Sequence, residues 1–351
     1  MQTIGYAAKE KNSALAPHAF EQRALRANDV HMEVLYCGVC HSDLHMARDD
    51  WGWSHFPLIP GHEIIGRVTA VGSDVTRYKA GDNVAVGCMV DSCQHCDQCH
   101  KGEEQFCREG MTLTYSGPDR ITGEMTMGGY SKHLVAREEF VLRVPDGLDL
   151  SKAAPLLCAG ITTYSPLRTW GVKEGSRVGV IGLGGLGHMA VKLAKGMGAH
   201  VTVLSRSGDK EADALELGAE KLLVSADDSA MQAAANSFDL IIDTVPVKHD
   251  IMPYLPLLDI DGTLVMVGQL GPLEPVDTVP VLMGRRRVSG SPIGGIRETQ
   301  ELLDFAAEKN ILPEVEMIDI QDINRAFERM ERADVRYRFV IDMASLNQPT
   351  A

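Results

Sequence analysis

Long apolar runs are missing from this 351-residue sequence. The richest, Val178 to Val191, covers 14 residues, five of them glycine, and includes His188, so it is too short to cross a bilayer. The N-terminal stretch Met1 to Lys9 has no basic region leading into an apolar one, so no secretory signal is read there. Basic residues are in deficit: 34 Lys and Arg against 48 Asp and Glu leave a net charge of −14. Such a surface repels a phosphate backbone, which excludes general nucleic-acid binding. Cysteine is sparse for a disulfide scaffold, with eight in the chain, and in the absence of an export signal clustered cysteines point to metal or catalysis. The expectation is a cytoplasmic protein with neither a membrane nor a nucleic-acid partner. Repeats at solenoid periods and low-complexity tracts are also missing.

What is present fits a globular chain with a buried core, since 44% of residues are hydrophobic and 23% charged. At about 150 residues per domain the length points to about two domains. Up to about Ala136, short β-like runs such as Glu33-Val34-Leu35-Tyr36 and Asp82-Asn83-Val84-Ala85-Val86 are broken by Gly, Pro and Asp, which predicts an irregular, strand-rich domain. From about Ser176 the rhythm becomes strand, helix, strand. Arg177 to Ile181 leads to a helix with Met189, Ala190, Leu193, Ala194 and Met197 on one face, then to Val201 to Leu204. Later apolar runs at Leu240 to Ile242 and Thr263 to Val267 read as parallel strands buried on both faces, so a doubly wound sheet is expected. Near the end, Ile323, Ala326, Phe327 and Met330 mark an amphipathic helix before a last strand around Tyr337 to Ile341.

Four cysteines, Cys93, Cys96, Cys99 and Cys107, lie within fifteen residues in a loop-like stretch. Four thiolates so spaced can surround one tetrahedral zinc and leave no open position, which is the composition of a structural site. A nucleic-acid-binding zinc ribbon lacks its basic stripe here, because Asp91, Asp97, Glu103 and Glu104 outnumber Lys101 and Arg108. Three further ligand types are scattered: Cys40 in Cys37-Gly38-Val39-Cys40-His41-Ser42-Asp43-Leu44-His45, His62 in Gly61-His62-Glu63-Ile64-Ile65-Gly66, and Cys158 in Leu156-Leu157-Cys158-Ala159-Gly160. Two thiolates and an imidazole with one position free is the composition of a catalytic zinc site. Spacing alone does not assemble this trio, and singly Cys158 reads as a packed thiol and His62 as a hydrogen-bonded histidine.

Gly182-Leu183-Gly184-Gly185-Leu186-Gly187 follows the strand at Val178 to Ile181 and opens the next helix, the context in which a glycine loop accepts a pyrophosphate at a helix N-terminus. After the following strand, where an NAD enzyme places a carboxylate on the ribose, the chain reads Ser205-Arg206-Ser207-Gly208-Asp209-Lys210. Arg206 and Lys210 with the hydroxyls of Ser205 and Ser207 match a 2′-phosphate, so NADP is expected as cofactor, the alternative being that both cations are solvated surface charges. Thr244, Gly268, Ser291 and Ile293 complete the expected cofactor contacts.

These motifs, in this order, resemble the zinc-containing medium-chain alcohol dehydrogenases. Ala153-Ala154-Pro155-Leu156-Leu157-Cys158-Ala159-Gly160-Ile161-Thr162, Gly290-Ser291-Pro292-Ile293-Gly294-Gly295 and Asp334-Val335-Arg336-Tyr337-Arg338-Phe339-Val340-Ile341-Asp342 are similar to the cinnamyl alcohol dehydrogenase branch, and the match covers nearly the whole chain. The resemblance implies a GroES-like β-rich catalytic domain at 1–157 and 296–351, and a doubly wound, parallel-sheet Rossmann domain at 158–295 that binds NADP. It implies two zinc ions per subunit, one catalytic on Cys40, His62 and Cys158 with Glu63 as an occasional fourth ligand, one structural on Cys93, Cys96, Cys99 and Cys107. Ser42 matches the family's hydroxyl relay and His45 the imidazole that passes the proton to solvent, a role suited to a side chain that titrates near neutrality. Asp43 resembles the carboxylate that orients His62 through its other ring nitrogen. Cys37 and Cys88 have no ligand counterpart and are read as structural. The implied activity interconverts primary aromatic, allylic or aliphatic alcohols and aldehydes, in a homodimer. The alternatives are a zinc-dependent polyol or secondary-alcohol dehydrogenase, and a catalytically silent NADPH-binding protein.

The substrate pocket is read from apolar residues near these motifs: Trp51, Trp53 and Phe56 after the first ligand, with Leu282, Met283, Pro292 and Ile293 from the other domain, all equally suited to core or dimer contacts. Plant lignin-pathway members of the family carry a tryptophan in the segment resembling Met111 to Tyr115, where Leu113 stands nearby instead. That departure favours a broad aldehyde reductase. Arg285-Arg286-Arg287, a basic run, is expected to be a solvated or subunit-interface patch.

Overall fold

The computed structural model describes residues 1–347, and two compact units emerge: Met1–Cys158 with the chain from Gly294 onward, and Ala159–Ile293. The second unit is a six-stranded parallel sheet. Its strands stand in the order Lys221–Val224, His200–Ser205, Arg177–Ile181, Phe238–Asp243, Leu258–Met266, Arg287–Gly290. In chain order that is 3-2-1-4-5-6, the doubly wound arrangement. Valine, isoleucine and leucine fill the central strands because both faces are covered, and Val178, Val180, Val201, Val203, Ile241 and Ile242 are fully buried. Gly179 sits among them because a Cβ there would meet Ile241 Cγ1 at 3.0 Å and Leu204 Cδ1 at 3.1 Å. The helix Gly187–Gly196 buries Met189, Ala190, Leu193 and Ala194 completely, while Met197 falls at its C-cap. Strand order reverses between Arg177–Ile181 and Phe238–Asp243, and the glycine loop leaves the first of these strands at that reversal. Ligands of such sheets bind in the crevice there.

The basic run closes onto the same sheet. Arg285 pairs with Asp261, Arg286 donates to the carbonyls of Leu258 and Pro280 and to Asn236 Oδ1, and Arg287 donates to the Asp261 carbonyl. Arg286 is therefore engaged in structure rather than solvated as a free patch, and the expected patch shrinks to its neighbours.

The first unit is built on the long strand Asp29–Val39, which pairs antiparallel with Ile64–Val71, His133–Arg137 and Arg338–Asp342. Its register positions the chemistry. Cys37 pairs with Ile64, so Cys40 just beyond one strand and His62–Glu63 just before the other arrive side by side. Val39 pairs with Phe339, which brings Arg338 to the same end. Val30, Met32, Ile64, Tyr130, Phe339 and Ile341 pack beneath, together with Ile323, Ala326, Phe327 and Met330 of the helix Ile323–Glu331.

A polar knot holds the segment that follows the short strand Thr112–Leu113. Both guanidinium nitrogens of Arg26 donate to Asp119 at 2.9 Å, and the amides of Ile121 and Thr122 donate to Asp119 Oδ1 at 2.9 Å each. Arg23 grips the fully buried Asp29 beside it. Burial pushes the Asp119 carboxyl up, but the Arg26 fork and the two amides outweigh it and hold the group below the ordinary carboxylate range. A carboxylate depressed in this way contributes stability above about pH 4, and loses it as pH falls toward the folded-state value. Asp119→Asn is expected to cost about 1–2 kcal/mol at pH 7 in urea unfolding, with the deficit narrowing below about pH 4. A deficit that stays constant down to pH 3 would contradict this assignment.

Candidate functional site

Four donor side chains, Cys40, His62, Glu63 and Cys158, converge at the buried end of the first unit, with one ligand atom from each lying within 4.8 Å of all the others. The two thiols stand 3.9 Å apart. Cys40 leads into the helix His41–Ala47, and Cys158 ends the turn Ala154–Leu157, where Pro155 helps to fix the backbone. Hydrogen bonding from Cys158, aided by His62 and Arg338, holds the Cys40 thiol well below its ordinary value, and the same contact pushes Cys158 well above its own. Burial pushes the Glu63 carboxyl up to about 7 against the pull of Arg338.

One carboxylate organises the set. Asp43, completely buried, accepts the Cys40 amide at 2.9 Å and the Tyr130 hydroxyl at 3.0 Å on Oδ2, and the Gly61 amide at 3.1 Å and His62 Nδ1 at 3.0 Å on Oδ1. That last bond fixes the imidazole so that Nε2 is the nitrogen left to bind a metal. Glu63 Oε1 pairs with Arg338, while Glu63 Oε2, also buried, has no hydrogen-bond partner among the described residues. Two sulfurs, a nitrogen and an orphaned carboxylate oxygen fit a divalent zinc-type ion in both chemistry and spacing.

Ser42 and His45 lie three residues apart on the helix His41–Ala47, on neighbouring positions of its surface, and both are half-buried. His45 Nδ1 meets Asp50 Oδ2 at 2.8 Å, and its ring lies 5.2 Å from that of Trp51. Trp51 packs with Met46, Leu58 and Tyr115, whereas Trp53 is 54% exposed with its indole N–H on Met46 sulfur. Tyr130 was singled out by no motif, and Arg338 and Tyr115, though inside segments that resemble the family, were given no role there. The Tyr115 ring lies 5.7 Å from His62, and this tyrosine, two residues after Leu113, is the residue of that segment that reaches the site. Leu113 itself is half-buried in a two-stranded pair with Met89–Asp91. Cys37 and Cys88 direct their thiols at the carbonyls of Gly38 and Leu157, both at 3.6 Å.

Cys93, Cys96, Cys99 and Cys107 likewise bring their sulfurs within 4.8 Å of one another. Backbone amides point at them: Cys93 N–H to Cys107 Sγ at 3.4 Å, Cys96 N–H to Cys93 Sγ at 3.3 Å and Arg108 N–H to Cys96 Sγ at 3.5 Å. The Arg108 and Cys99 amides bring the Cys96 thiol down to about 6. Four sulfurs in a closed set, met by backbone amides, suit a second, structural ion. The quartet also anchors its surroundings. Glu104 Oε2 accepts the Ile296 amide at 2.9 Å at the start of the helix Ile296–Lys309, and a Cβ on Gly295 would strike the Gly102 carbonyl.

In the second unit the glycine loop is shaped by contact. Gly182 has φ +86°, and a Cβ on Gly187 would collide with the Gly182 carbonyl. Thr244 Oγ1 donates to the Ile181 carbonyl at 2.7 Å, and a Cβ on Gly268 would strike the Thr244 backbone, so these two positions hold the loop from the neighbouring strand. Gly184 faces open space. Lys210 Nζ donates to the Leu183 carbonyl at 2.9 Å, tying the segment after the second strand to the glycine loop. Ser207 donates to Asp209, Ser205 is half-buried, and Arg206 is exposed without a hydrogen-bond or ion-pair partner among the described residues. Ser291 N–H donates to the Met266 carbonyl at 3.1 Å, and Ile293 has φ +25°. Leu282 and Met283 are 72% and 82% exposed on the helix Val279–Gly284, and Pro292 is exposed. The residues read as a substrate pocket thus divide between the two units.

Comparison with known proteins agrees with this geometry. The family model of the alcohol dehydrogenase GroES-like domain matches residues 26–146, and that of the zinc-binding dehydrogenases matches residues 185–308. NADP-dependent alcohol dehydrogenase C 1 of Mycolicibacterium smegmatis is 52% identical over 349 residues, covering 99% of either chain. Among solved structures, a cinnamyl alcohol dehydrogenase from Sorghum bicolor superposes with a TM-score of 0.96 at 45% identity over 100% of both chains. CAD from Helicobacter pylori complexed with NADP(H) gives 0.89 at 41% identity, over 98% of this chain and 99% of that one.

The anchoring role of the quartet segment is open to test. Glu104→Ala is expected to cost about 1–3 kcal/mol in urea unfolding, because it strips the cap from a buried helix start. A loss below about 0.5 kcal/mol would contradict that role, being the scale of an ordinary surface change.

Proposed function

From the chain's membership of the zinc-dependent medium-chain alcohol dehydrogenases, in their cinnamyl alcohol dehydrogenase-like branch, we propose that it interconverts primary alcohols and aldehydes with NADP(H), using Cys40, His62 and Cys158 to hold a catalytic zinc. The observation that carries this reading is the buried donor set with Asp43 behind His62 and Glu63 Oε2 unpartnered. In this reading the unit containing Met1–Cys158 is the catalytic domain and Ala159–Ile293 the cofactor domain. Zinc bound there would supply Lewis acidity toward a substrate oxygen, and the nicotinamide would supply the hydride acceptor or donor.

The chain's own residues do the rest. Asp43 keeps His62 in one tautomer and one orientation. Arg338 holds Glu63 beside the donor set, within reach as an alternate ligand. Ser42 takes the proton of the alcohol hydroxyl into the relay, and His45, steadied by Asp50 and Trp51, passes it toward solvent. Tyr115 offers an aromatic wall beside His62 and packs with Trp51, and the aliphatic Leu113 two residues earlier in the same segment supports a broad range of aldehydes. Cys93, Cys96, Cys99 and Cys107 hold the structural zinc.

For the cofactor, Arg206 is the exposed cation for a 2′-phosphate, with Ser205 and Ser207 beside it, and Lys210 supports them by pinning the segment to the glycine loop. We further propose a homodimer. Among the described residues the strand Arg287–Gly290 has a neighbour on one side only, and the adjoining helix exposes Val279, Leu282 and Met283. Among the described residues no helix is long and apolar enough to cross a membrane, and all eight cysteines are free thiols, which supports the reducing cytoplasm as the compartment.

The zinc-replete protein is expected to oxidise NADPH with cinnamaldehyde, benzaldehyde and butanal faster than NADH, followed as loss of nicotinamide absorbance. Cys40→Ser should abolish turnover while leaving NADPH binding intact. Arg206→Glu should lower the ratio of kcat/KM for NADPH over NADH by at least about tenfold, the scale of one lost charge-assisted hydrogen bond. Equal turnover with NADH in the unmodified protein would overturn the cofactor assignment, and no turnover with any aldehyde would overturn the activity.

A further inference from the structure

We propose that Tyr130 is a positioning residue for the ligand His62, acting through the Asp43 carboxylate. The inference rests on the reading of Cys40, His62 and Cys158 as metal ligands. Tyr130 is wholly buried, and its hydroxyl donates to Asp43 Oδ2 at 3.0 Å. Of the other three groups that bond Asp43, two are backbone amides, of Cys40 and Gly61, and the third is the imidazole to be oriented. The phenol is therefore the one side chain outside the ligand set among these four that fixes the carboxylate. Oδ1 already serves Gly61 and His62, so without the Tyr130 phenol Oδ2 keeps the Cys40 amide, with Tyr115 as the remaining phenol that interacts with Asp43, and the carboxylate is held less firmly behind the imidazole.

Backbone contacts make the same tyrosine a brace for the segment that delivers His62. Tyr130 N–H donates to the Pro60 carbonyl at 3.0 Å, Gly129 N–H to Gly61 at 2.9 Å and Gly128 N–H to Ile59 at 2.8 Å. On its far side the Tyr130 carbonyl accepts the Tyr6 amide at 2.9 Å. The ring lies so close to Gly61 that a Cβ there would meet Tyr130 Cδ1 at 2.7 Å, and Gly61 also has φ +101°, so glycine is required on both counts. One residue thus fixes the backbone before His62 and the carboxylate behind it.

The test is zinc retention in the holoenzyme. Wild type, Tyr130→Phe and Tyr78→Phe are challenged with a chelator, and released zinc is followed in time. Tyr78→Phe is the control, since it removes another buried tyrosine's hydroxyl, bonded to the Val141 carbonyl at 2.6 Å, away from the donor set. Tyr130→Phe is expected to release one of its two ions about 10- to 100-fold faster, the range for loss of a group that supports a metal ligand, with the second ion released at the wild-type rate. Tyr78→Phe is expected to release both as wild type does. In the Asp43→Asn background, the added Tyr130→Phe change should have no further effect, because the two act as one unit. Equal release from all three proteins would overturn the proposal, as would equal acceleration by both tyrosine variants or additivity with Asp43→Asn. A wild type that holds one ion would overturn the metal-site reading itself.

Discussion

Removing a carboxylate from water costs several kcal/mol unless every lone pair finds a donor, and Asp43 is removed completely. Its four donors come from three stretches of chain: the turn at Cys40, the segment Gly61–His62, and Tyr130. Each of those stretches is held to the others through this one charged group, because none can move without leaving a buried acceptor unpaired. The donor set beside it inherits that rigidity. Cys40 is fixed by its own amide on Asp43, His62 by its ring nitrogen, and Glu63 by chain continuity and by Arg338.

Charge balance explains why the Glu63–Arg338 ion pair stands next to the Asp43 carboxylate and its donors. Two thiolates and the Glu63 carboxylate gathered within 4.8 Å would be strongly repulsive alone. One divalent cation and the Arg338 guanidinium would neutralise them. Burial pushes the Glu63 carboxyl up to about 7 against the pull of Arg338, and Glu63 Oε2 and Arg338 Nε are buried without a hydrogen-bond partner among the described residues. Removal of one partner from such a pair leaves an uncompensated buried charge, which is far costlier than loss of a surface contact. The quartet of Cys93, Cys96, Cys99 and Cys107 solves the same problem differently, with backbone amides and a closed set of four sulfurs.

Legibility from sequence followed distance along the chain. The parallel sheet was readable because each strand and helix carries its own period, and the 3-2-1-4-5-6 order agrees with the βαβ rhythm read from Arg177 onward. The cysteine quartet and the glycine loop were readable because their members are close neighbours in sequence. The trio Cys40, His62 and Cys158 was reached through family resemblance, since no local spacing links Cys40 to Cys158. The contacts of Tyr130 and Arg338 were not legible, although Arg338 lies in a segment that carries the family resemblance. Their partners lie 87 and 275 residues away, and nothing about a tyrosine after two glycines or an arginine opening a strand reports a contact created by strand register. Lys210 shows a different limit: its place near the glycine loop was foreseeable, but the turn of its ammonium onto the Leu183 carbonyl depends on side-chain geometry that no pattern encodes.

The central claim is that Asp43 organises an open, buried metal site distinct from the closed cysteine quartet. Anomalous diffraction at the zinc edge from crystals of the zinc-replete protein tests it most directly. The account predicts two anomalous peaks per chain, one enclosed by Cys93, Cys96, Cys99 and Cys107, the other bonded to Cys40 Sγ, His62 Nε2 and Cys158 Sγ with Asp43 still on His62 Nδ1. A single peak at the quartet, with Cys40 and Cys158 unligated, would contradict it.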